Sequence, residues 1–88
     1  MKLTFSTEAW EDYQYWISTD KKKLERINEI ITQCQRTPYK GIGKPEPLKG
    51  DLSGWWSRRI TQEHRIVYRI SGEKQAQSLE IAQLRFHY

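Results

Sequence analysis

Residues 36 to 53 read RTPYKGIGKPEPLKGDLS, and their three prolines and three glycines exclude both a helix and a continuous strand. Proline removes a backbone donor and fixes φ, while glycine leaves the backbone loose, so no hydrophobic period survives across the stretch. Regular structure must therefore form separately on either side of it. A connection this long inside a compact domain is uncommon, and such loops more often carry function than merely span a gap.

On the N-terminal side the apolar spacing is helical. KLTF reads as a short strand, Ser6 as an N-cap, and Ala9, Trp10, Tyr13, Trp16 and Ile17 as one face of a helix over residues 7 to 17. STD at 18 to 20 interrupts it. Asp20 then caps a second helix whose buried stripe is Leu24, Ile27, Ile31 and Cys34, giving an antiparallel helix hairpin. On the C-terminal side the period is two: GWWSRRI (54 to 60), HRIVYRI (64 to 70) and QSLEIAQLRFHY (77 to 88), joined by TQE and SGEK turns, form an antiparallel meander. The prediction is a single domain over residues 1 to 88 of α+β class, two helices packed on one face of a twisted antiparallel sheet.

Alternation sorts the strand side chains by face. Ile66, Tyr68 and Ile70 share one side, and Arg65, Val67 and Arg69 the other; Ile81, Gln83, Arg85 and His87 oppose Ala82, Leu84, Phe86 and Tyr88. Arg65 and His87 become candidates for the same uncovered face. Arg58 and Arg59 point oppositely, so at most one joins Arg65 and the other is expected at the surface or in a partner interface. His64, at a turn, is expected as a surface residue.

The charge is placed as unevenly as the periodicity. Of a net +4, residues 36 to 69 contribute eight Lys/Arg against three Asp/Glu, whereas residues 1 to 35 hold five against six. The positive field thus belongs to the loop and the first strands beyond it, which suits a polyanion such as nucleic acid. Cys34 is the only cysteine and His64 and His87 the only histidines, so neither a disulfide framework nor a Cys-based zinc site can form within the chain. No apolar run reaches membrane-spanning length and MKLTFSTEAW lacks a signal-peptide core, so a cytoplasmic protein without membrane association is expected.

Within the loop, KPEPLK holds Glu46 between two prolines on a stiff segment with few competing backbone donors. A carboxylate, arginines and a histidine suffice to cleave RNA without a metal. The carboxylate takes the 2′-hydroxyl proton, the arginines neutralise the phosphorane, and the histidine protonates the departing 5′-oxygen. The α-carboxylate of Tyr88, one residue from His87, would favour the imidazolium such an acid needs.

The sequence resembles the YoeB branch of the RelE-type toxins of bacterial type II toxin–antitoxin systems. The likeness is carried by MKLTFS, WEDYQYW, TDKK, INEII, the long RTPYKGIGKPEPLKGDLSGWWSRRITQEHRIVYRI and the closing RFHY. It implies a RelE-like, microbial-ribonuclease-like fold and a ribosome-dependent mRNA interferase that cuts mRNA in the A site of the 70S ribosome without a cofactor. Carried over, the catalytic positions fall on Glu46, Arg65, His87 and Tyr88, and substrate or ribosome contacts on Lys49, Arg59 and Lys44. The implied partners are a YefM/Phd-like antitoxin, the ribosome with its mRNA, and a second copy in a homodimer. Two other readings use the same scaffold: a non-enzymatic inhibitor of the RelE/ParE fold, and an RNA- or ribosome-binding module in which Tyr39, Trp55 and Trp56 stack on bases.

Overall fold

The computed structural model describes residues 1 to 86. In chain order it comprises β1 (Lys2–Phe5), α1 (Thr7–Thr19), α2 (Lys21–Arg36), β2 (Glu46–Pro47), one 3-10 turn (Gly50–Leu52), β3 (Trp56–Arg59), β4 (Arg65–Ser71) and β5 (Ser78–Gln83). The helix hairpin forms as its capping residues dictate. Ser6 Oγ accepts from Ala9 N at 3.0 Å and donates to Ala82 O at 2.8 Å, so the cap of α1 also ties that helix to β5. Helix α1 runs two residues beyond Ile17 because the Ser18 and Thr19 hydroxyls bond back to carbonyls of the preceding turn. Asp20 then closes one helix and opens the next: its N–H donates to Trp16 O, and its carboxylate accepts from Lys23 N at 3.1 Å and pairs with Lys23 Nζ at 2.7 Å. The Lys23 hydrogen bond holds the Asp20 carboxyl below its usual range.

The sheet order is β1-β5-β4-β3-β2. Strands β3, β4 and β5 form the expected antiparallel meander. The N-terminal strand joins its free edge in parallel, Lys2 beside Ser78 through Phe5 beside Ile81, so the sheet is mixed rather than wholly antiparallel. At the opposite edge the two-residue β2 pairs Glu46 with Ser57 and Pro47 with Trp56. Pro47 cannot donate to a ladder, which confines the strand to an edge.

The helices cover one face. Ala9, Trp16, Ile27, Ile30, Ile31 and Cys34 pack on Ile60, Ile66, Tyr68, Leu79, Ile81 and Leu84. Ile30 extends the expected α2 stripe, while Leu24, in the first turn, is only half-buried. Strand β5 ends at Gln83, five residues short of the expected limit. Val67 lies opposite Gln83 but Tyr68 opposite Ile81, leaving Ala82 as the extra residue of a bulge. That bulge resets the alternation: Ile81 and Leu84, expected on opposite faces, both enter the core.

Arg58 is the largest departure from expectation. It shares its face with Trp56 and Ile60 and is fully buried, not at the surface. Its Nε donates to Tyr68 Oη at 3.1 Å, Nη1 to Ile42 O at 3.2 Å, and Nη2 to Thr37 O and, at 2.9 Å, to Lys40 O. Tyr68 in turn donates to Pro38 O, and Gln33 Oε1 accepts from Ile42 N at 3.1 Å. A loop unable to pair its own backbone is thus hydrogen-bonded by three side chains. Gly41, at φ 121°, is where they converge, since a Cβ there would lie 2.5 Å from Gln33 Oε1 and 3.2 Å from Arg58 Nη1.

Replacing Arg58 with Ala leaves three loop carbonyls and the Tyr68 hydroxyl without their donor in a closed environment. We expect a loss on the order of 3 kcal/mol or more, and Arg58→Lys, with one point donor in place of a fork, to recover little of it. Urea denaturation measures both. Burial pushes the Tyr68 phenol up from its ordinary value of 10.0 to about 12, against the opposing effect of Arg58. Folding therefore favours the neutral phenol; this stability is complete below the ordinary value and is lost as pH rises through about 12. A difference titration of phenolate absorbance between wild type and Tyr68→Phe should show one ionisation delayed to that region.

Candidate functional site

The loop that Arg58 anchors delivers Glu46 to the sheet. Gly43 and Lys44 both adopt positive φ, 80° and 52°, turning the chain sharply into the proline-flanked segment. Gly43 O accepts from Arg59 N at 2.6 Å, and a Cβ on Gly43 would lie 3.0 Å from Arg59 O and 3.1 Å from Arg58 Cβ. Only glycine allows this approach. The return is fixed by Leu48 N–H donating to Trp55 O at 2.9 Å, which brackets Glu46 between two anchored points.

Strand register then decides which side chains meet, since directly opposed residues share a face. Glu46 pairs with Ser57, Ser57 with Val67, and Val67 with Gln83, forming one row on the face opposite the helices, with Ser57 and Val67 buried at its middle. The neighbouring row holds Arg59 directly opposite Arg65. Two like charges opposed on adjacent strands repel, and such a pair becomes favourable when an anion bridges it. The ion pairs among the described residues are Asp20–Lys23, Arg26–Glu29 and Arg69–Glu80, and none of them engages Arg59 or Arg65. Arg65 Nη1 donates to Thr61 O at 2.9 Å and Gln62 O at 3.1 Å, folding its guanidinium over the β3–β4 turn. Lys44 and Lys49 are exposed on the loop flanking Glu46. Lys23, in contrast, is held by Asp20.

Beyond β5 the chain is pinned by its main chain. Leu84 N–H donates to Asp12 Oδ2 at 3.0 Å and Leu84 O accepts from Trp16 Nε1 at 2.9 Å, so both peptide groups are held from α1. Phe86 N–H donates to His64 Nδ1 at 2.8 Å, and Phe86 O accepts from Arg65 N at 3.1 Å. Between them the Arg85 guanidinium carbon lies 3.5 Å from the Tyr15 ring centroid and 4.5 Å from that of Phe86. Burial raises the Asp12 carboxyl above its usual range, partly offset by the Leu84 hydrogen bond and Arg85. Burial likewise lowers the His64 imidazole.

The register therefore brings Glu46, Arg59 and Arg65 to one face, and residue 86 is bonded to the backbone of Arg65. His87, expected there from strand alternation, and Tyr88, assigned to the site by the family resemblance, lie outside the described residues. Two residues were misjudged from sequence. His64 is half-buried, its ring edge-on to Trp16 at 4.9 Å, because the C-terminal segment folds across it. Nothing local in EHRIV announces that contact. For Arg58 a signal existed: the run Trp56, Arg58, Ile60 places it on the apolar side.

Fold and site together define a small α+β protein whose sheet is covered by a helix hairpin on one face and carries an opposed arginine pair with a nearby carboxylate on the other. The pattern of the YoeB-like toxins of bacterial type II toxin–antitoxin systems matches residues 5 to 88. Toxin YoeB of Escherichia coli O6:H1 is 57% identical over 88 residues, covering 100% of both chains. A YoeB/ParE toxin structure from Agrobacterium tumefaciens superposes with a TM-score of 0.96 at 56% identity over 100% of each chain. A heterotetrameric YoeB-YefM toxin-antitoxin complex from Staphylococcus aureus gives 0.87 at 43% identity, covering 100% of this chain and 98% of that one. The chain belongs to the YoeB-like family of type II toxins.

If the opposed arginines receive an anion, inorganic phosphate or sulfate should raise the melting temperature of the wild type more than chloride does at matched ionic strength. In Arg59→Ala, which relieves the repulsion, that extra rise should shrink by more than half, as read by differential scanning fluorimetry.

Proposed function

We propose that this toxin is a ribosome-dependent endoribonuclease, cutting mRNA in the ribosomal A site by attack of a ribose 2′-hydroxyl on the adjacent phosphate. The observation carrying the reading is the cross-strand placement of Glu46, Arg59 and Arg65 on the uncovered face of the sheet. Glu46 accepts the 2′-hydroxyl proton as oxygen attacks phosphorus in line. Arg65, with Arg59 opposite, balances the charge that develops on the non-bridging oxygens. His87 gives its proton to the departing 5′-oxygen, and Tyr88 orients the substrate, leaving a 2′,3′-cyclic phosphate and a 5′-hydroxyl. The internal nucleophile makes RNA, not DNA, the substrate, and no metal is needed to generate one.

Lys44 and Lys49, exposed beside Glu46, supply contacts to substrate or ribosomal phosphates. The complex of the Staphylococcus aureus relative with YefM supports a YefM-like antitoxin as the partner that restrains this chain. Action in the cytoplasm, where ribosomes are, follows from the same reading. Primer extension on a translated mRNA, with and without ribosomes, tests it directly. Wild type should give codon-aligned cuts only with ribosomes, while Glu46→Ala and His87→Gln should each cut about 10²- to 10⁴-fold more slowly with unchanged melting temperature. Undiminished cutting by both variants would overturn the assignment, and translational arrest without any cleavage would favour the non-enzymatic inhibitor.

A further inference from the structure

His64 does more than pack. The bond from Phe86 N–H requires a lone pair on Nδ1, which makes the imidazole neutral with its proton on Nε2. Protonation would set N–H against N–H, replacing an acceptor by a second donor. Phe86 is also sensitive to losing a restraint, because it sits at φ 64°, a conformation that a bulky residue keeps only when surrounding bonds hold it.

The groups facing the ring come from every element around it: Asp12 from α1, Lys23 from α2, Glu63 from its own turn and Arg85 from the C-terminal segment. Burial against Trp16 is the largest influence and favours the neutral ring; Lys23 and Arg85 act in the same sense, Glu63 and Asp12 against it. Seating through His64 is therefore complete above the ordinary histidine value of 6.5 and is lost as pH falls through the lower value of the folded protein.

We propose that His64 is a positioning residue whose unprotonated Nδ1 seats the C-terminal segment against Arg65, and that its protonation releases that segment. The effect on cleavage rests on the ribonuclease reading above, while the seating itself does not.

Amide exchange by NMR on the full chain tests the seating. In wild type, protection of the Phe86 amide relative to the β4 amides should fall roughly tenfold between about pH 7.5 and about pH 5. In His64→Leu it should be low at both pH values. In His64→Asn, whose Oδ1 takes the place of Nδ1 and does not titrate, it should stay high at both, which keeps the test valid should the leucine variant fold poorly. Phe86 protection that is independent of pH in wild type, or unchanged in His64→Leu, would sink the seating. Cutting of translated mRNA near neutral pH should follow the same order, impaired in His64→Leu and rescued in His64→Asn. Full cutting by a protein whose Phe86 amide is free would overturn the positioning role. Scoring His87→Gln in the same assay shows separately whether the ribonuclease reading of the terminus has failed.

Discussion

A buried guanidinium holds this protein's site together. Arg58 sits in the core-facing row of β3, and its donors go to loop carbonyls and one phenol. Burying a charge is costly unless every donor finds an acceptor, and a loop rich in proline and glycine has carbonyls to spare because its own amides cannot pair them. Each side resolves the other's deficit. Residues 37 to 42 of the loop are thereby fixed to the sheet without regular structure of their own, and the proline-bounded carboxylate that follows is set beside β3.

The rest of the site is assembled by main-chain contacts. Glu46 arrives through a two-residue ladder and a glycine pressed on β3, and residues 84 to 86 through hydrogen bonds of their peptide groups with Asp12, Trp16, His64 and Arg65. Side chains carried by such segments keep their positions when solvent or ligand changes, since moving them means breaking paired backbone groups. Preorganisation of this kind is what electrostatic stabilisation of a phosphorane demands. The proposed reaction would account for an arrangement unfavourable for stability alone, in which two arginines oppose each other across adjacent strands.

Local rules made much of the architecture legible. Ser6 and Asp20 announced their caps, the helical stripes and the period-two runs gave the layers, and alternation limited Arg65 to one companion from Arg58 and Arg59 without saying which. What escaped was non-local. Parallel pairing of β1 with β5 depends on which sheet edge is free after the helix hairpin has crossed, and no residue in KLTF encodes it. The bulge at Ala82 shifts register by one, so faces counted onward from Ile81 fail at Gln83 and Leu84. His64 and Arg58 take their roles from partners ten or more residues away, and a single-sequence period carries no information about such contacts. The parity of Arg58 was readable; that a charged residue could be satisfied there was not.

Pairing the first strand with the last has a consequence for biosynthesis. Because β5 lies between β1 and β4, a nascent chain that has made everything up to residue 77 still has no way to join its N-terminal strand to the meander. The hairpin of helices can form early, but closure of the sheet waits for β5 (Ser78–Gln83), and contacts of such long sequence separation are the slowest to form. The sheet is thus completed only once β5 has been made, so the architecture itself ties the first strand's place in the toxin to the synthesis of its last.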